Sequence, residues 1–316
     1  MEPCRILRHT LYSAKDRNEN KLSNNQLVAP VSWDEFVGQQ RVKDRLQISI
    51  RAAERDGRQM GSVLLITEPG YGKSTLARLI ATEMGVELKS LMMPVSPKVL
   101  MKSLLDHEGV LFIDEIHRLP KGRQEEFLLA MEEGCIQMAN GEQRPIASNQ
   151  TIVAATTEPH QLIKPLMDRF VHKPTFEQYS DDEMRQIVQG MFSKIGMKVT
   201  KTQAEALGRA SAGTPRQART ITFMARDLQT TNPSEVLGTL GITGDGLTED
   251  HVKYLTALER LDGQAGIELL SSHTTFPKVI LFDLEKLLVR KNYIYLAPKG
   301  RALTLKGSEA VKELLG

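Results

Sequence analysis

One stretch of nine residues constrains this chain more than any other. Residues 67–75 read Thr-Glu-Pro-Gly-Tyr-Gly-Lys-Ser-Thr. They follow a short apolar run, Ser-Val-Leu-Leu-Ile-Thr at 62–67, and precede Leu76, Leu79 and Ile80 at helical spacing. Strand, glycine-rich loop, helix is the setting of a phosphate-binding loop. Gly70 and Gly72 let the backbone curl so that successive N–H groups point inward, and the helix N-terminus adds partial positive charge. In such a loop Lys73 reaches the β- and γ-phosphates, and the Ser74 hydroxyl is a ligand for Mg²⁺. A second apolar run, Gly-Val-Leu-Phe-Ile at 109–113, ends in Asp114-Glu115. Strand C-termini in open parallel sheets converge on the ligand crevice. Asp114 is therefore expected to hold Mg²⁺, directly or through water, and Glu115 to polarise an attacking water as general base. A third run, 151–156, ends at Thr156-Thr157, where a hydroxyl can meet the terminal phosphate or the lytic water.

Short apolar strands alternating with helical patterns predict an α/β fold with a parallel sheet covered on both faces. The helical patterns are 39–57, with Val42, Leu46, Ile50 and Ala53 on one side, and 122–133. Beyond Tyr179 the pattern is nearly all helical. Ser180-Asp181-Asp182-Glu183 is a helix start with acids in the first turn, and Gly213-Thr214-Pro215 breaks two helices apart. Residues 231–246, rich in Gly, Thr and Pro, read as a linker. Helices near 248–261 and 279–290, then two strand-like runs around Pro298-Lys299-Gly300-Arg301, suggest a winged-helix unit. The expected division is a polar leader over 1–26, a P-loop domain over 27–179, a helical lid with its linker over 180–246, and a winged-helix domain over 247–316.

Charge limits what the chain can bind. Lys and Arg total 41 against 39 Asp and Glu, a net of +2, which excludes a histone-like binder and a disordered polyelectrolyte. Any nucleic-acid contact must be local. From 286 to 306 there are six basic residues and no acids: Lys286, Arg290, Lys291, Lys299, Arg301 and Lys306. A basic-tipped hairpin after a helix fits a DNA-binding wing; the alternative is a solvated edge that discourages strand pairing. Four phosphates neutralised per subunit would give log K against log salt a slope of about −3.6. Only Cys4 and Cys135 occur, so neither a disulfide framework nor a cysteine-rich metal site can be built, and reduced thiols of a cytoplasmic protein are the expectation. No apolar run reaches ~18 residues, so no transmembrane helix is expected, and the leader has no apolar stretch like that of a signal peptide.

Several segments in one order carry a resemblance: Asp34-Glu35-Phe36-Val37-Gly38-Gln39, the loop at 67–75, Phe112-Ile113-Asp114-Glu115-Ile116-His117-Arg118-Leu119, Ala155-Thr156-Thr157, Asp168-Arg169-Phe170 and Gly213-Thr214-Pro215-Arg216. Over roughly 27–316 the chain resembles the AAA+ ATPases, most closely the RuvB branch-migration motors of Holliday junctions. The resemblance implies a P-loop αβ domain, a helical lid and a winged helix, assembled as hexameric rings that pump duplex DNA with ATP and Mg²⁺. It implies that Gly70, Gly72, Lys73, Ser74 and Thr75 bind phosphate and Mg²⁺, with Asp114 and Glu115 as metal and catalytic acids. Thr156 is the choice for first sensor, with Thr157 next. Arg169 matches an arginine finger entering a neighbour's site, and Arg216 a second sensor. Phe36, Val37, Tyr179 and Pro215 match positions beside the base. DNA contact falls most clearly on Arg301, with Lys299, Arg290 and Lys291 around it.

The departures are specific. Ala29-Pro30 stands where the family has Arg-Pro, Thr67-Glu68 where it has Gly-Pro, and Leu296 where it has a second DNA-contacting arginine. The segment between Glu133 and Thr151, where the family's longer hairpin docks the partner RuvA, is short here, with Asn140-Gly141 as a tight turn. A RuvA-like partner is therefore not carried over. Two other readings share parts of this pattern: a clamp-loader or helicase-loader switch, and a DNA-binding protein that senses nucleotide without hydrolysing it.

Overall fold

The computed structural model describes residues 27–138 and 140–315, so the polar leader and Cys4 lie outside the described residues. Four parallel strands form the central sheet in the order β1-β6-β3-β2: β1 (Val63–Ile66), β2 (Leu88–Met92), β3 (Gly109–Asp114) and β6 (Gln150–Thr156). Residues 172 and 175 bridge to Val63 and Ile66 in parallel and extend the sheet past β1. Alternation along each strand sorts side chains to two cores. Val63, Leu65, Val110, Phe112, Val153 and Ala155 pack with α1 (Gln40–Arg55) and α2 (Lys73–Met84). Leu64, Leu111, Ile113, Ile152 and Ala154 pack with α3 (Pro97–Asp106), α4 (Lys121–Glu133) and α5 (Lys164–Arg169). β6 is buried along its whole length, as a strand covered on both faces must be. β2 and α3 have no counterpart among the elements expected from sequence. A short antiparallel hairpin, β4 (Cys135–Gln137) with β5 (Gln143–Pro145), follows α4.

The lid holds α6 (Asp181–Lys194), α7 (Lys201–Ala210), α8 (Pro215–Leu228) and α9 (Pro233–Leu240). Capping boxes start α6 and α7: Ser180 with Glu183, and Thr200 with Gln203. The expected linker over 231–246 is corrected in part. Asn232 caps α9, Pro233 occupies its first turn, and Val236 and Leu237 are buried in the lid core. Pro and Asn there open a helix instead of breaking the chain.

The last unit contains α10 (Glu249–Arg260), β7 (Gln264–Ala265), α11 (Ile267–Thr274), α12 (Lys278–Arg290), β8 (Ile294–Ala297), β9 (Gly300–Leu303) and α13 (Leu305–Leu315). Its strands pair antiparallel in the order β7-β9-β8 beside the helices, a winged-helix arrangement. No helix among the described residues is long and apolar enough to cross a membrane.

Candidate functional site

Strand parity builds the site. The loop after β1 curls through Gly70 at φ 92° and Gly72 at φ 99° into α2. Gly72 is the N-cap of α2 and offers no side chain to the first-turn N–H groups, which leaves those donors for an anion. Asp114 shares the parity of Val110 and Phe112, so it emerges on the α2 face, the face of Lys73 and Ser74. Its carboxylate accepts from the Glu115 N–H at 3.0 Å. Glu115 is left-handed (φ 54°), which ends the strand and turns its side chain back. Its Oε2 accepts from the Thr157 hydroxyl at 2.9 Å and lies 3.3 Å from Nδ1 of buried His117.

The same parity corrects the choice of Thr156. That residue shares the face of Ile152 and Ala154, away from α2, and is fully buried. Its Oγ1 meets His117 Nδ1 at 3.0 Å and accepts from the Glu158 N–H at 3.0 Å. Thr157, one residue on, presents its hydroxyl to Glu115. His117, to which the sequence pattern gives no role of its own, touches Thr156 and Glu115 through Nδ1 and approaches Glu158 at 3.7 Å through Nε2.

Lys73 is buried and donates to the carbonyls of Thr67 at 3.0 Å and Glu68 at 3.4 Å. Burial holds its ammonium below the usual lysine range, against the pull of Glu115 and Asp114. Burial likewise pushes the Asp114 carboxyl up, helped by Glu115 and opposed by Lys73. A group carrying phosphate negative charge and Mg²⁺ suits this balance: it would restore the charge to Lys73, and the cation would do the same for Asp114.

Phe36, Val37, Gly72, Thr75, Tyr179 and Pro215 line one cavity of about 270 Å³, with Met191 and Lys194 of α6 closing it. Lys194 reaches Ala29 O and Glu35 at 2.6 Å each, and the bond to Glu35 holds that carboxyl below its usual range. Arg216, in the first turn of α8, lies beside the loop: a Cβ on Gly70 would come within 2.9 Å of the Arg216 Cβ. Arg169 faces outward at the end of α5 and donates to Met131 O at 2.7 and 3.2 Å. Among the described residues it has no hydrogen bond to Lys73, Asp114 or Glu115.

The basic cluster at 286–306 is more engaged than its composition suggested. Arg301 donates to Glu285 through Nε at 2.8 Å and Nη2 at 3.2 Å. Tyr254 donates to the same carboxylate at 2.9 Å, and the guanidinium lies over the Phe282 ring. Arg290 bonds Glu68, Tyr71 and Ala212. Both arginines are thus engaged by carboxylates on other elements, Arg301 by buried Glu285 and Arg290 by half-exposed Glu68. Lys286 pairs with Asp283, and Lys306 donates to Lys291 O. Lys299 is exposed at the hairpin tip, and no ion pair among the described residues engages it or Lys291.

Residues 28–175 match the family model of the Holliday junction DNA helicase RuvB P-loop domain, and 244–312 match the RuvB C-terminal winged helix domain. The chain is 32% identical over 304 residues to the Holliday junction branch migration complex subunit RuvB of Campylobacter hominis, covering 89% of each chain. It is 33% identical over 316 residues to that of Lactobacillus helveticus, covering 93% of this chain and 91% of the relative. Its fold is similar to the Thermotoga maritima RuvB Holliday junction branch migration motor, with a TM-score of 0.77, 30% identity, and 91% and 99% of the two chains covered. A point mutant of that protein aligns with a TM-score of 0.79 at 31% identity, with the same coverage.

Proposed function

The chain belongs to the RuvB family, and from that premise we propose that it is an ATP-driven motor that moves the branch point of Holliday junctions in DNA recombination and repair. Nucleotide binding is the coarser property the family carries; coupling of hydrolysis to DNA movement is the proposal. One observation supports it above the others: Lys73, Asp114, Glu115 and the Thr157 hydroxyl follow the C-terminal ends of β1, β3 and β6, and Thr157 bonds Glu115 at 2.9 Å. In this reading the loop N–H groups and Lys73 would hold the phosphates, and Ser74 and Asp114 would hold Mg²⁺, which would supply charge neutralisation. Glu115, aimed by Thr157, accepts the proton of the attacking water. Phe36, Val37, Tyr179 and Pro215 enclose the base. Arg216 reports the phosphates to the lid.

Arg169 is assigned to a neighbouring subunit's site. Its outward position and its bonds to a helix-end carbonyl fit a finger that acts in trans. A finger of this kind is worth ~10³–10⁵ in rate, so turnover should require a ring, proposed as a homo-hexamer. Lys299 and Lys291 are the DNA-contact residues kept from the wing. A RuvA-like loader is left out, because each strand of the β4–β5 hairpin has only three residues.

The test is phosphate release with and without duplex or four-way-junction DNA, combined with particle size by electron microscopy. Junction-stimulated release by ring-sized particles, lost in Glu115→Gln, is expected. A junction that never moves while ATP is consumed would favour a loader switch. Equal background release by wild type and Glu115→Gln would leave only a binding module.

A further inference from the structure

Glu68 presents a difficulty for a phosphate site. It is a carboxylate in the loop that must receive a polyphosphate, two residues before Gly70. Unpaired, it would repel the ligand that the loop N–H groups attract. The structure places a cation on it from 222 residues away. Arg290, in the last turn of α12 at the base of the wing, donates from Nη1 to Glu68 Oε2 at 2.9 Å and to the Tyr71 hydroxyl at 3.2 Å. Its Nη2 donates to Ala212 O at 2.6 Å. Its side chain is only 15% exposed, so the guanidinium is held among its partners and not left in solvent.

Each contact leads to a different part of the nucleotide site. Glu68 belongs to the phosphate loop. Tyr71 is buried in the lid core and stacks on Tyr179, a wall of the base cavity, with ring centroids 5.7 Å apart. Ala212 lies in the turn that presents Pro215 and Arg216. A guanidinium has five donors in a fixed fork, which lets it bond three acceptors at once, as a lysine ammonium at the same place would not with the same geometry.

We propose that Arg290 is a positioning residue of the nucleotide site, holding Glu68 neutralised beside the phosphate loop so that nucleotide affinity depends on the winged-helix domain staying docked. The proposal rests on the nucleotide reading of this site. It gives the wing a route to the nucleotide: whatever draws Arg290 off Glu68 leaves an unpaired negative charge beside the phosphates. Undocking of the wing then loosens nucleotide without any change in Lys73, Asp114 or Glu115.

The experiment measures the Kd of a fluorescent ADP analogue with Mg²⁺ on the full chain, for wild type, Arg290→Ala, Glu68→Gln and the double variant, at low and high salt. Arg290→Ala is expected to bind about tenfold more weakly, with the gap narrowing as salt rises. In the Glu68→Gln background the same Arg290→Ala change should cost less than about twofold, because the charge it offsets is gone. Arg290→Lys, which keeps the charge but not the three-way fork, should recover part of the affinity. If Arg290→Ala does not give folded protein, Arg290→Gln, which can still donate to Ala212 O, carries the same expectation. Equal losses with Glu68 in place and in the Glu68→Gln background would mean that Arg290 only docks the domain, and would overturn the proposal. Unchanged affinity in Arg290→Ala would overturn it too. Wild type that binds no more tightly than Lys73→Ala would instead sink the nucleotide reading itself.

Discussion

Thr157→Val and Thr156→Val form the sharpest test of the site, because neighbouring threonines are assigned opposite roles. Thr157 donates to Glu115 Oε2 at 2.9 Å, and Thr156 is fully buried between His117 and the Glu158 N–H. Valine keeps the shape of threonine and puts a methyl group where the hydroxyl was. A hydrogen bond to a charged group is worth ~1.5–3 kcal/mol. If that energy aims the general base in the transition state, its loss lowers kcat by about 10–150-fold, at ~1.4 kcal/mol per decade. KM should change little, because Glu115 does not hold the ground-state nucleotide in this reading. Thr156→Val removes the acceptor of the part-buried Glu158 N–H and the nearer partner of buried His117 Nδ1, at a cost of ~1–3 kcal/mol of stability. Its melting temperature should fall by several degrees, at about 2–4 °C per kcal/mol for a domain of this size class, while kcat of the folded protein stays within a few-fold. Steady-state phosphate release and thermal melts on the same preparations read both quantities. Loss of turnover in Thr156→Val at an unchanged melting temperature, with Thr157→Val near wild type, would refute the parity argument.

The wing yields three further predictions. Arg301→Ala strands the buried Glu285 carboxylate, which should destabilise the winged-helix domain by ~3–5 kcal/mol; a melt of Arg301→Ala matching wild type would contradict this. With Arg290 and Arg301 engaged, Lys291 and Lys299 are the cations of the 286–306 run whose ammonium groups have no partner among the described residues; if these two neutralise phosphates, the salt slope of DNA binding should be about −1.8 instead of −3.6. Lys291→Ala plus Lys299→Ala should flatten it without moving the melting temperature, and a slope that stays steep in the double variant would point to another surface. Burial pushes His251 down to about 4, and its ring pairs with the Thr248 hydroxyl at 2.7 Å in the cap of α10. The folded value lies below the unfolded ~6.5, so the native state binds fewer protons between the two. The contribution is intact above about pH 6.5 and is lost as pH falls towards 4, amounting to ~2 kcal/mol by pH 5. His251→Gln should remove most of that dependence in melts at pH 7 and 5, and an equal slope in both proteins would exclude His251 as its source.

What the amino-acid order makes legible follows from how far apart the cooperating atoms lie along the chain. The phosphate loop and the Asp114-Glu115 pair are contiguous chemistry on recognisable strands, so they can be read without tertiary knowledge. Six expected contact residues of the base and loop do line one cavity, because they flank turns whose Gly and Pro residues mark them. β2 escapes because an edge strand with Lys89 and Ser90 half exposed or exposed lacks the continuous apolar run that marks β3 and β6. Choosing between Thr156 and Thr157 fails for a related reason. Period-2 alternation says that they face opposite ways and does not say which face carries α2; that fact enters only when Val110, Val153 and Leu76 are placed together. The arginines mark a harder boundary. Composition counts a guanidinium as available charge, but availability is set by whichever carboxylate the fold brings to it. Glu285 lies 16 residues from Arg301, on the far side of a turn, and Glu68 lies 222 residues from Arg290 in another domain. Pairing at such separations has no local signature, so a basic run with no acids of its own can still be neutralised from outside, and counting charges in a window overstates its grip on DNA.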